Sequence, residues 1–247
     1  MNMILKGKNI IVTGSRGLIG KAIVSDITKE GGIAICLDIL NKTTPDQHQY
    51  KVDLTDQEQT KRILKEIVTI YKRIDGLVNN AYPRTKDWGT RIEKVKLSSF
   101  RENIDWQLSS VFHLIQLLSN RVVNFNNCSI VSIASIYGIV GNDFTLYENT
   151  DMTSPVAYPA IKGGLISMNR YLASYFGKNN LRFNCISPGG IQDKQSPEFI
   201  KNYSKKVPLK RMGTPNDIAP TVSFLLSEKA NYITGQNIVI DGGWTAI

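Results

Sequence analysis

The sequence predicts an α/β fold in which a parallel sheet is covered by helices on both faces. Two observations carry that prediction. Short apolar runs alternate with longer stretches of helical period along the 247 residues. The runs also lack the exposed polar face of a solvent-facing antiparallel strand, as expected of strands buried on both sides. A third observation sets the domain count: no internal repeat, low-complexity tract or Pro/Gly-rich linker divides the chain, so residues 1–247 read as a single domain.

The elements follow in order. Ile10-Ile11-Val12 reads as the first strand, Ile33 to Leu37 as the second, and a third ends before Val52-Asp53. Gly76-Leu77-Val78, Ser129 to Ile133, Phe183 to Ile186 and Ile238 to Ile240 complete the set. Helical periodicity places helices near 19–30, 56–73, 98–120, 158–177 and 215–227.

Composition narrows the function classes. Hydrophobic residues at 42% and charged residues at 21% suit a soluble globular protein. No apolar run approaches the roughly 20 residues that span a bilayer, and residues 1–8 lack a signal-like apolar region. Cys36, Cys128 and Cys185 are far apart, which predicts buried thiols in a reducing cytoplasm and neither disulfides nor a metal site. The net charge of +9 is scattered, without a basic helix or aromatic-interleaved stripe, so neither nucleic acid nor a membrane is expected as a partner. Two clusters remain, Arg84, Lys86 and Arg91 in one loop and Lys201, Lys205, Lys206, Lys210 and Arg211 in another stretch. Either is an ordinary solvated face or a site for an anionic small molecule.

Thr13-Gly14-Ser15-Arg16-Gly17-Leu18-Ile19-Gly20 joins the first strand to the first helix. In that context glycines can turn tightly and bring backbone N–H groups and a helix N-terminus to a pyrophosphate, although such loops also serve as plain turns. Asp38, 18 residues beyond Gly20, ends the second strand, where a carboxylate can accept hydrogen bonds from a ribose diol. It would repel a 2′-phosphate, so NAD is favoured over NADP, while Arg16 argues the other way. Asp53 faces an adenine amino group or caps the helix starting near Asp56. Asn79-Asn80-Ala81 ends the fourth strand at the ligand-binding edge of the sheet, or simply makes a turn.

Tyr158 and Lys162 are four residues apart on a predicted helix and share one face. A cation there would draw a phenol of ordinary pKa near 10 toward neutrality, which general acid/base catalysis at ordinary pH requires. The same spacing also suits an amphipathic surface pair.

Together these motifs resemble the short-chain dehydrogenase/reductase family over essentially the whole chain. The pieces are the glycine loop, Asp38, Asp53, Asn79-Asn80-Ala81, Ser135, Tyr158 with Lys162, Ser187-Pro188-Gly189-Gly190-Ile191, Pro208 to Gly213 with Asp217-Ile218-Ala219, and Ile233 to Trp244. The resemblance implies a doubly wound Rossmann-type three-layer sandwich of about seven parallel strands, a nicotinamide cofactor and hydride transfer. It also implies a homotetramer or homodimer. By the same resemblance Tyr158 is the general acid/base, Lys162 holds the nicotinamide ribose and lowers the Tyr158 pKa, and Ser135 hydrogen-bonds the reacting oxygen. Gly14, Ser15, Arg16, Gly17, Leu18, Ile19, Gly20, Asp38, Asp53, Leu54, Asn80, Ala81, Pro188, Gly189 and Ile191 would hold the cofactor along with Tyr158 and Lys162. A lid is expected over about 190–214.

The chain departs from the family pattern in four places. Gln107 stands where a helix Asn usually joins the proton relay, with Asn103 one turn earlier as a substitute. Tyr82 replaces the Gly that usually follows Asn79-Asn80-Ala81, which should narrow the pocket near the nicotinamide. Asp193 replaces a Thr near the pyrophosphate. The fourth departure is in spacing: the middle glycine of the loop comes one residue early, and 23 positions separate Ser135 from Tyr158, more than compact members show. Both spacings resemble the sugar-nucleotide branch, yet the chain lacks room for that branch's C-terminal substrate domain. The extra segment, 139–156, contains Asp143, Tyr147, Glu148, Asn149, Asp151 and Thr153, side chains suited to hydroxyl-rich ligands or to an ordinary polar loop.

The function expected is an NAD(P)-dependent oxidoreductase that interconverts a secondary alcohol and a ketone. Its small-molecule substrate would be a sugar or sugar phosphate, anionic in the latter case, for surface-polysaccharide building blocks. A 3-oxoacyl-carrier-protein reductase and a sugar epimerase are alternatives. A non-catalytic nucleotide-binding regulatory protein is the alternative of another class.

Overall fold

A computed structural model of the protein describes residues 3–121, 127–150 and 152–247. Asp151 of the polar insertion falls outside the described residues.

Seven parallel strands form one sheet in the order β3-β2-β1-β4-β5-β6-β7. They are β1 (Asn9–Thr13), β2 (Ile33–Asp38), β3 (Gln49–Lys51), β4 (Gly76–Asn79), β5 (Ser129–Ile133), β6 (Arg182–Pro188) and β7 (Asn237–Ile240). The order reverses between β1 and β4, and ligands of open α/β sheets bind at the carboxyl ends of the strands flanking such a point. This is the doubly wound sandwich expected from the sequence.

Alternation along the strands builds two cores. Ile11, Ile35, Leu37, Leu77, Ile130 and Phe183 pack with side chains of α2 (Gln57–Tyr71), α4 (Ser110–Arg121) and α5 (Ala157–Phe176). Ile10, Val12, Cys36, Val78, Val131 and Ile186 point the other way, onto α1 (Leu18–Lys29) and α7 (Pro215–Leu226). Burying strands on both faces is why they read as continuous apolar runs. The three cysteines are free and buried.

Two elements differ from the sequence reading. The helix expected over 98–120 is interrupted: α3 (Leu97–Ile104) meets α4 through a π-helical turn, Asp105–Ser109. Single π turns of this kind commonly mark functional sites. The stretch expected to be a lid contains α6 (Pro197–Lys206). Its start carries the usual signals: Ser196 caps Phe199 N, Pro197 opens the first turn, and Glu198 faces the helix N-terminus.

The 3₁₀ turn after β5 (Ile136–Gly138) lies directly on α5. A Cβ on Gly138 would come within 2.8 Å of the Lys162 carbonyl carbon and 2.9 Å of Gly163 N. Neither atom is a side-chain end that can swing away. Gly138→Ala should therefore cost about 1–3 kcal/mol by overpacking. Thermal denaturation followed by circular dichroism should show the midpoint falling by roughly 2–4 °C per kcal/mol. An unchanged midpoint would refute this close approach.

Candidate active site

The glycine loop, the end of β4 and the end of β1 form one hydrogen-bonded unit. Thr13 Oγ1 accepts from Asn80 N at 3.0 Å and Ala81 N at 3.1 Å. Asn80 Nδ2 donates to Thr13 O at 3.1 Å and Gly14 O at 3.0 Å. Gly14 has φ +62°, and a Cβ there would meet Ala81 Cα at 2.8 Å; on Gly20 it would sit 2.1 Å from Gly14 O. The cradle thus requires glycine at both positions. Asn80 pins the loop, while Asn79 Nδ2 turns away to Ser132 Oγ at 3.1 Å. Gly17 caps α1 without a side-chain hydrogen bond, and the buried Ser15 Oγ has no partner among the described residues. A helix N-terminus whose N–H donors open onto a cleft lined by Gly14, Gly17, Leu18 and Ile19 fits a pyrophosphate.

The cleft measures about 760 Å³ and runs from this cradle along the carboxyl edge of the sheet. Gly14, Arg16, Gly17, Leu18, Ile19, Asp38, Asp53, Leu54, Asn80, Ala81, Tyr158, Lys162, Pro188, Gly189 and Ile191 line it. At the adenosine end, Asp38 Oδ2 accepts from Arg16 N and Oδ1 from Leu40 N, both at 2.9 Å. These bonds fix the carboxylate at the cleft wall. Asp53 does not cap α2: that cap is Asp56, whose Oδ1 accepts from Gln59 N at 2.9 Å. Asp53 Oδ1 instead closes a turn with Thr55 N and Oγ1. Asp193 is exposed at the rim, its N donating to Gln195 Oε1. Ile191 is held by a parallel bridge to Gly213.

Tyr158 and Lys162 do share a face of α5, with Lys162 Nζ 5.5 Å from the centre of the Tyr158 ring. Lys162 is buried, and its ammonium donates to Ile133 O at 2.7 Å. Ser135 is buried just beyond β5, where its hydroxyl accepts from Tyr137 N and lies close enough to Tyr158 to influence its phenol. Burial pushes the Tyr158 phenol above its ordinary value, and Ser135 pulls it back. Desolvation lowers Lys162 to about 8. The expected lowering of Tyr158 by Lys162 is thus not the ruling effect; burial is the largest influence on the phenol.

Tyr82 narrows the pocket as its replacement of glycine predicts. Its ring stands edge-on to Tyr158 at 5.7 Å and to Trp88 at 5.6 Å, with Lys162 Nζ 5.6 Å from its centre. The relay substitute predicted at Asn103 is corrected by its contacts. Its amide accepts from Thr85 N and donates to Thr85 Oγ1 and Ser99 O, so it is fully used in pinning the 85 loop. Gln107, on the π turn, donates from Nε2 to Pro83 O at 2.8 Å, and its buried Oε1 has no partner among the described residues. No hydrogen bond among them joins Gln107 to Lys162. The longer arm reaches the loop that carries Tyr82.

The polar insertion does not present its acid to the cleft. Asp143 Oδ1 accepts from Thr145 N and Oγ1, and its other oxygen pairs with Lys206 on α6, which also reaches Thr145 Oγ1. Leu146 is buried among Phe199, Tyr203, Val207 and Met212, and Tyr147 packs on Phe199 at 5.4 Å. The insertion is therefore a strap over α6. The basic stretch is also less free than a solvated face: Arg211 bridges Asp217 through two 2.7 Å bonds. Sequence reading missed Tyr203, whose hydroxyl accepts from Gly190 N at 2.5 Å while its ring stacks on Trp244 at 4.7 Å. The i, i+4 spacing of Phe199 and Tyr203 after Pro197 was the available signal. It also missed Thr13, whose role depends on where β4 lies.

A family profile described as enoyl-(acyl carrier protein) reductase matches residues 18–245. The post-translational flagellin modification protein A of Campylobacter coli is 33% identical, over 97% of this chain and 99% of that protein. A 3-oxoacyl-[acyl-carrier-protein] reductase of Thermotoga maritima is 31% identical, over 98% and 99%. The crystal structure of a short chain dehydrogenase from Leptospira borgpetersenii with bound NAD+ superposes with a TM-score of 0.88 at 34% identity, covering 98% of this chain and 94% of that one.

The buried ammonium makes a prediction about stability. The folded state holds the Lys162 proton only below about 8, whereas the unfolded chain holds it up to the ordinary value of 10.5. Below pH 8 both states are charged, and desolvation counts fully against folding. Between the two values the unfolded chain binds more protons, so raising the pH stabilises the fold. Against Lys162→Met, the thermal midpoint of the wild type should gain between pH 7 and 10. A relative loss over that range would show that the site is not desolvating the ammonium.

Proposed function

The chain belongs to the short-chain dehydrogenase/reductase family and is an oxidoreductase acting on CH–OH groups; on that premise we propose that it interconverts a secondary alcohol and a ketone, with Tyr158 as the general acid/base. The observation that carries this reading is the convergence of Ser135, Tyr158 and Lys162 beside a cleft that begins at the glycine cradle. A nicotinamide cofactor, when bound, supplies the hydride acceptor or donor. Gly14 to Gly20, Asp38, Asp53, Leu54, Asn80 and Ala81 would hold its nucleotide end, and Pro188, Gly189 and Ile191 its nicotinamide end.

In the oxidising direction the Tyr158 hydroxyl oxygen, deprotonated, takes the proton of the substrate hydroxyl; in reduction it returns one to the carbonyl oxygen. The Ser135 hydroxyl donates a hydrogen bond to that same oxygen and stabilises charge developing on it. Lys162 and Tyr158 each suffer desolvation alone, but an ammonium beside a phenolate stabilises both charged forms. Gln107 acts here as a positioning residue for the loop at Pro83. NAD is the favoured cofactor, because Asp38 is held at the cleft wall where a 2′-phosphate would meet it, with NADP the alternative through the exposed Arg16.

A sugar or sugar phosphate is the substrate class we favour, supported by the basic loop at the cleft, where Arg84 is exposed. The acyl-carrier-protein reductase reading draws on the second relative and the family profile. It is weakened by Lys206 and Arg211, which are committed to ion pairs. A homotetramer is proposed as well, since α5 exposes the stacked Tyr171 and Tyr175.

Tyr158→Phe should lower turnover by about 10² to 10⁴ while nicotinamide nucleotide affinity, read by fluorescence, stays within a few-fold. The assay is nicotinamide absorbance with NAD or NADP against neutral sugars, sugar acids, sugar phosphates, sugar nucleotides and oxoacyl thioesters. Retained turnover would sink the proton-transfer role, and sugar conversion without net absorbance change would indicate an epimerase. Asp38→Ser should shift cofactor preference toward NADP by about tenfold or more, and an unmoved preference would refute the ribose argument.

A further inference from the structure

The wall of the cleft facing Tyr158 has a charge pattern of its own. The carboxylates along the cleft, Asp38, Asp53 and Asp193, lie at the end of β2, beyond β3 and on the segment after β6. The wall made by Tyr82, Pro83 and Arg84, with Ile133 and Ala134 at the end of β5 and Tyr158 on α5, contains no carboxylate. Arg84 is exposed there, its guanidinium 5.2 Å above the Tyr82 ring, and no carboxylate among the described residues pairs with it. Stacking on an aromatic face orients an arginine without using up its hydrogen-bond donors.

The backbone on both sides of Arg84 is fixed by buried amides. Gln107 Nε2 holds Pro83 O at 2.8 Å, and Asn103 holds Thr85 through its N at 3.1 Å and its Oγ1 at 2.8 Å. Asp87 accepts from Ser99 Oγ at 2.7 Å. The π turn between α3 and α4 thus carries one of the two amides that present the arginine from a rigid support. One aromatic ring, Tyr82, separates the guanidinium from Tyr158, a span suited to a small hydroxy or oxo compound with an acidic group a few atoms from its reacting carbon.

We propose that Arg84 recognises a compact anion on the substrate, a carboxylate or a phosphate monoester, while Tyr82, backed by Trp88, packs against the skeleton between that group and the carbon that reacts. Gln107 is the positioning residue for this contact. The inference rests on the reading of Tyr158 as the proton-transfer group, because that reading sets which end of the substrate faces Arg84.

The test uses the full chain and matched compounds: glucose, glucuronate and glucose 6-phosphate. Binding is read from tryptophan fluorescence, to which Trp88 contributes, and turnover from nicotinamide absorbance. At least one acid should bind more tightly than glucose, glucuronate alone identifying a carboxylate site and glucose 6-phosphate alone a phosphate site. Arg84→Gln should reduce the acid-to-neutral affinity ratio about 10- to 100-fold, the range of a charge-assisted hydrogen bond, and Arg84→Lys should restore part of it. Gln107→Leu should raise KM for the acid with kcat nearly constant, whereas a relay role would lower kcat. Equal binding of all three compounds, absence of acid binding, or a ratio unchanged in Arg84→Gln overturns the proposal. If acid selectivity behaves as stated but Tyr158→Phe keeps its turnover, the anion site stands and the catalytic reading fails.

Discussion

The close approach of the glycine loop to the end of β4 is the constraint on which the rest of the structure depends. It lies where the strand order reverses, so no strand covers the carboxyl ends of β1 and β4 there. Thr13 and Asn80 close the seam with four hydrogen bonds, and Gly14 and Gly20 let the backbones meet where any side chain would collide. With that seam closed, Gly14, Gly17 and the first turn of α1 face one end of the cleft. Residues 82 and 84, which follow directly on Ala81, are placed at the other. One packing contact thus aligns the nucleotide end with the substrate end.

The Tyr158 and Lys162 pair carries an electrostatic tension set by burial. Lys162 is carried into the protein with one carbonyl, Ile133 O, as its hydrogen-bonding partner, and burial lowers its pKa. Tyr158 is pushed the opposite way by the same cause. Burial therefore opposes the charged form of each group taken alone. Forming phenolate and ammonium together exchanges two separate desolvation costs for one short-range attraction, which is strong in a site shielded from water.

The fold was legible in the sequence because burying every strand on both faces leaves a simple apolar signature, and the strand runs proved correct to within a few residues. The cradle was legible for a similar reason: its glycines are demanded by local backbone collisions that spacing records. What local pattern could not supply were partnerships across the fold. Asn103 looked like a spare relay amide until the 85 loop was found bonded to it, and Asp143 looked like a ligand for hydroxyls until Lys206 took it. The π turn was invisible because it inserts into an unbroken helical pattern, and the choice between adenine contact and helix cap at Asp53 needed the position of Asp56. In α6 the capping signals of Ser196, Pro197 and Glu198 are local and stand in the sequence itself.

The long separation between Ser135 and Tyr158 acquires its meaning from α6. Both residues must reach one point, and a short connection would suffice for that. The intervening segment instead leaves the cleft, buries Leu146 against Phe199 and Tyr203, and pairs Asp143 with Lys206 before α5 begins. Tyr203 passes this restraint on, since its hydroxyl holds Gly190 N next to the bridge between Ile191 and Gly213. A segment anchored at several points loses less conformational entropy when a ligand orders it than a free loop does. The insertion therefore acts as a strap that fixes α6, and the cleft wall beside Tyr158 is left to Tyr82, Pro83 and Arg84.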